Sequence, residues 1–197
     1  MSAKQKQGKF VPERISRPIN KKSKRKEEKN EFLSWIFSLF IAVAIALALR
    51  FFVFDFVVVE GTSMEPTLYS GEVVFVEKLS YRVNEPNIGD IVISRYDENK
   101  KNYVKRVLGN SGDIIEINQG ELYINDRQII EPYIKEEMID DLGTVVVPNK
   151  TVFLMGDNRN NSFDSRIDSV GAIDLKKVRG RALFRCWPFS RFGKIDE

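Results

Sequence analysis

The sequence predicts a mostly β protein, an antiparallel β-sheet domain carried behind one N-terminal transmembrane helix. Three observations carry this expectation. Residues 32–49 form an unbroken run of eighteen uncharged residues, F-L-S-W-I-F-S-L-F-I-A-V-A-I-A-L-A-L. From residue 56 onward, short β-rich runs recur, separated by turn-forming pairs such as Gly-Asp, Asn-Asp, Pro-Asn and Gly-Asn. Among them, E-I-N-Q-G-E-L-Y-I at 116–124 reads as a hairpin turning across residues 118–120.

The N-terminal 31 residues differ from the rest in charge. Over 197 residues the net charge is +3, but residues 1–31 hold eleven Lys/Arg against four Asp/Glu. The remainder is mildly acidic, so the two parts suit different surroundings. Residues 1–31 lack apolar periodicity and read as a basic, disordered tail. The apolar run that follows corresponds to roughly 27 Å of helix, near the hydrocarbon thickness of a bilayer. Arg50 can snorkel, and the span is expected to cover residues 32–54, with Trp35 near the opposite interface. A cleavable leader would have a shorter apolar core and a small-residue site after it. The basic cluster Lys21, Lys22, Lys24, Arg25 and Lys26 precedes the span, which places the N-terminus in the cytoplasm and residues 55–197 outside the plasma membrane. A nucleic-acid reading of the basic arm is the competing one. The topology signal and contact with anionic lipid explain the arm more simply, so no nucleic-acid partner is expected.

Strands are expected at 56–59, 73–76, 91–94, 103–108, 114–117, 122–124, 145–147, 152–155 and 178–184, with a short helix near 174–177. The chain has one cysteine, Cys186, and no histidine. An intrachain disulfide is therefore excluded, and a structural zinc site is not expected. Histidine-based nucleophilic catalysis is excluded as well, so a hydrolase of this sequence must use another base. No metal and no cofactor is expected.

Three segments carry candidate chemistry. In G-T-S-M-E-P-T-L at 61–68, a serine precedes a turn-forming proline just after a strand, which can expose its hydroxyl and its backbone N–H. The alternative is an ordinary turn serine. In Y-V-K-R-V-L-G at 103–109, strand alternation puts Tyr103, Lys105 and Val107 on one face and Val104, Arg106 and Leu108 on the other. A lysine in apolar surroundings loses stabilisation of its charged form and can become a base, whereas an arginine stays charged. The alternative is that Lys105 snorkels to solvent at a sheet edge. In G-D-N-R-N-N-S-F-D-S-R at 156–166, dense short polar residues with two Asp and two Arg suit a rigid loop tied by Asp–Arg bonds. The alternative is a solvated surface loop.

Taken together and in order, these segments resemble the type I signal peptidases. The matching stretches are the apolar span followed by a strand, S-M-x-P-T-L at 63–68, G-D-I-V at 89–92, Y-V-K-R-V-x-G-x-x-G-D at 103–113 and G-D-N-R-x-x-S-x-D-S-R at 156–166. The resemblance covers about residues 32 to 190. It implies the antiparallel sheet of the signal peptidase and LexA-like type, with Ser63 as nucleophile and neutral Lys105 as general base. It further implies that Ser162 orients the Lys105 amine, that Asp157, Arg159, Asp164 and Arg166 brace the site, and that the Ser63 N–H is one oxyanion donor. Many relatives supply a second donor from a serine two residues before the nucleophile, where this chain has Gly61. Thr62, another backbone N–H or a water is expected to substitute. Met64 and the strand at 56–59 would shape shallow apolar pockets for small residues. Asn110-Ser111 replaces a segment that often carries proline, with a loop effect expected. The implied substrates are secretory preproteins cut after A-x-A-like sites, with the lipid bilayer and, transiently, the secretion machinery as partners. Ser63 lies nine residues past Phe54, at most about 30 Å of extended chain, so its substrates would be met near the membrane surface. A self-cleaving repressor or pilus-processing relative fits less well with the span and the 156–166 motif. An inactive adaptor is the non-enzymatic alternative.

Overall fold

The structure is a computed structural model, and it describes residues 21–82, 84–95 and 101–195. The chain divides into two units, one ending at Ile45 and one running from Ala46. Helix α1 spans Lys21–Phe52. It starts about ten residues before the apolar run, inside the segment expected to be a disordered tail. The physical reason lies in K-K-S-K-R-K-E-E-K-N, where Lys, Arg and Glu are good helix formers and can extend a helix already nucleated by the run that follows. The rest of the expected tail, residues 1–20, lies outside the described residues. Within α1, Glu31–Phe52 has a mean hydropathy of 2.6 and is long and apolar enough to cross a membrane. Phe32, Trp35, Leu39, Phe40 and Ile45 are all exposed, so apolar surface runs around the helix instead of along one stripe.

Among the described residues twelve strands follow: β1 (Phe54–Val58), β2 (Val73–Glu77), β3 (Ile91–Ser94), β4 (Tyr103–Gly109), β5 (Ile114–Asn118), β6 (Glu121–Ile124), β7 (Arg127–Ile129), β8 (Leu142–Val146), β9 (Thr151–Met155), β10 (Ile173–Asp174), β11 (Val178–Trp187) and β12 (Gly193–Lys194). All nine expected runs are strands, with ends shifted by up to three residues. A single turn of 3-10 helix at Leu175–Lys177 stands where the short helix was expected. Strands β7, β10 and β12 were not foreseen, because two or three residues of mixed polarity give no period to detect.

The strands form two antiparallel sheets. The larger runs β1-β2-β11-β3-β4-β9-β10, with β12 beside β11. The smaller runs β7-β6-β5-β8. Two tight turns organise the smaller sheet. Gln119 and Gly120 both have positive φ, 53° and 80°, as a two-residue hairpin of the right twist requires. Only glycine fits at position 120, because a Cβ there would also press on the carbonyl oxygen of Met138. Asn125 and Asp126 make the second turn, and both tolerate positive φ through their short polar side chains.

Two placements matter for the site. β1 is an edge strand, paired only with β2 among the described residues. β4 is central, with Lys105 opposite Val92 of β3 and Arg106 opposite both Ile91 of β3 and Met155 of β9. The alternation expected for β4 puts the two cations on opposite faces, and both faces are covered. Lys105 is 2% exposed and Arg106 is 0% exposed.

Candidate active site

The site is assembled by a turn, a central strand and a loop. After β1 the backbone bends at Gly61, whose φ of +84° is open to glycine at little cost. A compact turn follows. Glu65 N donates to Thr62 O at 3.1 Å, and Leu68 N donates to Met64 O at 2.9 Å. Met64 and Leu68 are fully buried in the core beside Val74, Val76 and Ile93, and they hold the turn against the sheet. Ser63, between an exposed Thr62 and a buried Met64, is left half-buried with its hydroxyl facing β4.

Lys105 Nζ lies 2.7 Å from Ser63 Oγ. Burial pulls the Lys105 amine down from 10.5 to about 8, with Arg166 adding to the fall and Asp164 and Asp157 opposing it. The snorkelling alternative is therefore not what the chain adopts. A neutral amine at this distance can accept the hydroxyl proton of Ser63.

Arg106, on the other face of β4, is neutralised by a bidentate bond to Asp157, with Nε to Oδ1 at 2.9 Å and Nη2 to Oδ2 at 2.8 Å. Its Nη1 donates to Gly89 O, and its guanidinium stacks 3.8 Å over the ring of Tyr133. Asp157 also accepts from Thr67 Oγ1 at 2.5 Å. One carboxylate therefore ties β4 to the turn that carries Ser63.

The loop at 156–166 is rigid, though its ties differ from those expected. Asp164 and Arg166 do pair within the loop, at 2.9 Å through both oxygens. Burial pushes the Asp164 carboxyl up, but Arg166, the Ser162 hydroxyl and the Gly156 N–H at 3.0 Å more than offset this and hold it below the usual carboxylate range. Asp157 instead reaches out to Arg106. Arg159 reaches to Glu131, with Nη1 and Nη2 each 2.6 Å from a carboxylate oxygen, and its Nε returns to Gly156 O at 3.0 Å. Gly156 has no room for a side chain, since a Cβ would collide with Ser63 O and Ser162 Oγ.

Of the residues expected at the site, Ser63 and Lys105 meet directly, and Asp157, Arg159, Asp164 and Arg166 surround them. Ser162 differs from expectation. Its Oγ is buried against Gly156 and turned to the Asp164 carboxyl, which it helps to hold down, and no bond to Lys105 is formed in this structure. Thr62 also differs. Its Oγ1 accepts from Asn161 Nδ2 at 2.8 Å.

A cleft of about 560 Å³ opens beside Ser63, between β1 with its following turn and residues 101–104 of the β4 entry. Gly61, Ser63 and Met64 line it, and Thr62 does not. The free edge of β1 runs along this cleft, where an extended chain could pair with it. Among the described residues no group of three or more His, Cys, Asp or Glu is placed to hold a metal ion.

Sequence reasoning missed several residues around the site. Thr67, Arg106, Tyr133 and Glu131 all contact the bracing network. Glu72, 3% exposed, pairs with Arg185 and Arg191, and Arg185 donates to Thr67 O at 3.0 Å. A charged residue within an apolar strand is the one signal in the sequence that marks such positions.

The family model described as "Signal peptidase, peptidase S26" matches residues 32–187. A protein named "Signal peptidase I" from Bacillus licheniformis is 42% identical over 183 residues, covering 88% of this chain and 98% of that protein. "Signal peptidase I S" of Bacillus subtilis strain 168 is 38% identical over 186 residues, covering 89% of this chain and all of that protein. A crystal structure of a signal peptidase I from Enterococcus faecalis V583 aligns with a TM-score of 0.45 at 27% identity, covering 50% of this chain and 97% of that one.

Proposed function

The chain belongs to the peptidase S26 family of signal peptidases, and from that premise we propose that it removes signal peptides from secretory preproteins with a Ser63 nucleophile and a Lys105 base. Family membership makes it a serine endopeptidase. The observation that carries the finer assignment is the 2.7 Å approach of Lys105 Nζ to Ser63 Oγ, with the amine brought to about 8 by burial.

In this mechanism the neutral Lys105 amine takes the proton of Ser63 as Oγ attacks the carbonyl of the scissile bond. The tetrahedral oxyanion is met by the Ser63 N–H. The Lys105 ammonium then protonates the departing amine of the mature chain, and the signal peptide remains as an ester on Ser63. A water molecule gives its proton to Lys105, attacks the ester and releases the signal peptide, and the proton returns to Ser63 Oγ. Asp157, Arg159, Asp164 and Arg166 hold the loop that supports this pair, and Ser162 packs beside it. Gly61 lets the backbone approach the substrate closely, and Met64 with residues 56–59 shapes the floor that admits only small side chains.

Anchoring follows from the helix and the charge pattern. Residues 1–31 form the basic cytoplasmic side, the span ends with α1 at Phe52 short of the expected residue 54, where β1 already begins, and the strands from β1 onward form the catalytic part outside the plasma membrane. The lipid bilayer and, transiently, the secretion machinery are the partners this placement implies. The test is a preprotein with an A-x-A site, cleaved in detergent by the full chain. Wild type is expected to cut after the last Ala. Replacing that Ala with Trp is expected to lower kcat/KM by at least roughly 100-fold. Equal cleavage of both preproteins would contradict the assignment.

A further inference from the structure

We infer that Asn158 is a positioning residue that aims the backbone N–H of Ser63 at the carbonyl oxygen of the scissile bond. The inference rests on Ser63 being the nucleophile and extends that reading to a residue outside the Ser/Lys pair.

A trans peptide is planar, with its C=O and N–H pointing in opposite directions. The direction of the Ser63 N–H is therefore set by whatever holds the Thr62 carbonyl. Asn158 Nδ2 donates to Thr62 O at 3.0 Å, beside the turn bond from Glu65 N at 3.1 Å. Asn158 also holds the next peptide, because its backbone N donates to Ser63 O at 3.0 Å. One residue thus grips both carbonyls that flank the nucleophile. Asn161 adds a third hold, from Nδ2 to Thr62 Oγ1. Asn158 can act as a fixed point. It is 4% exposed and follows Asp157, which is locked to Arg106 at 0% exposure.

The Ser63 N–H has no acceptor among the described residues, and Ser63 lines the cleft. This donor carries unusual weight in this chain. Gly61 offers no hydroxyl, and Thr62, whose Oγ1 accepts from Asn161 Nδ2, lies outside the cleft lining. Neither position 61 nor position 62 therefore places a side-chain donor in the cleft lining. Where one backbone N–H takes the developing negative charge, its orientation governs transition-state stabilisation and leaves ground-state binding nearly unchanged. Asn158 is uncharged and does not contribute to the shift of the Lys105 amine. Its effect is thus separable from that of the base.

The experiment measures kcat, KM and the pH dependence of preprotein cleavage by the full chain in detergent, for wild type, Asn158→Ala, Asn158→Leu and Ser63→Ala. Leucine keeps the volume of asparagine without its donor. Both Asn158 variants are expected to lose roughly ten- to a hundredfold in kcat, with KM within about twofold and the midpoint of the pH profile still near 8. Wild-type kcat, a loss expressed mainly in KM, or a displaced midpoint would overturn the proposal. So would loss of the folded state in both variants by circular dichroism, which would make Asn158 a folding contact. Cleavage retained by Ser63→Ala would instead overturn the nucleophile assignment on which the proposal stands.

Discussion

Lys105→Met is expected to abolish cleavage while making the protein more stable. Methionine keeps the length and apolar stem of lysine but cannot accept a proton, so kcat is expected to fall on the order of 10⁴- to 10⁶-fold. Ser63→Ala should fall as far, and the double variant no further, because the two residues act as one unit. The stability change has the opposite sign. The amine lies near 8 in the folded chain and 10.5 is its ordinary value, so between these values the unfolded chain holds a proton that the folded chain has released. Stability therefore rises with pH through that window and is lowest below about 8, where the buried ammonium must be tolerated. The shift corresponds to about 3 kcal/mol at neutral pH, from a side chain that is 2% exposed. Lys105→Met should raise Tm at pH 7 and flatten the dependence of Tm on pH between 8 and 10.5. Calorimetry beside a cleavage assay checks both halves. A variant that is inactive and also less stable would mean that the lysine serves the fold and not the reaction.

Asp157→Ala carries the second large effect, and it acts through the fold. The substitution leaves Arg106 charged, fully buried and without its bidentate partner, and frees Thr67 from the loop. Breaking such a pair on one side costs about 3–5 kcal/mol. Cleavage should fall with it, since the same carboxylate joins β4 to the turn carrying Ser63. A second variant separates charge from position. Replacing both partners, Asp157→Leu with Arg106→Met, removes the orphaned charge and should recover much of the stability in denaturant unfolding, because apolar residues of similar size often replace a buried pair at little cost. Activity should recover less, because the tie to Thr67 is still gone. Full activity in the double variant would show that the Asp157–Thr67 bond does not position the nucleophile.

The strand pattern was legible because the body of the protein alternates and punctuates its runs with Gly, Asn, Asp and Pro. The pieces that escaped, β7, β10 and β12, owe their strand character to a neighbour's backbone and not to their own residues. Helix α1 ran past its expected start because charged residues with high helix propensity precede the apolar run without a stop signal. For the site, alternation correctly separated Lys105 from Arg106. It could not say that both faces of β4 would be covered, since burial depends on which strands flank it, and β9 lies more than forty residues away. The Asp–Arg ties of the 156–166 loop were foreseen as a type of bond but not by partner. Asp157 chose Arg106 and Arg159 chose Glu131, which sits in an irregular segment with no pattern to mark it. The placing of Ser162 Oγ against Gly156, and of Thr62 Oγ1 against Asn161, depends on loop geometry at a scale that residue spacing does not carry.

The most direct measurement of the central claim is the pH dependence of kcat/KM for cleavage of an A-x-A preprotein by wild type. If the neutral Lys105 amine is the base, the rate should climb about tenfold per pH unit on the acid side, bend near 8 and level off above it. A profile flat from pH 5 to 10 would mean that no group titrating in this range is needed, and the Ser63–Lys105 mechanism would be wrong.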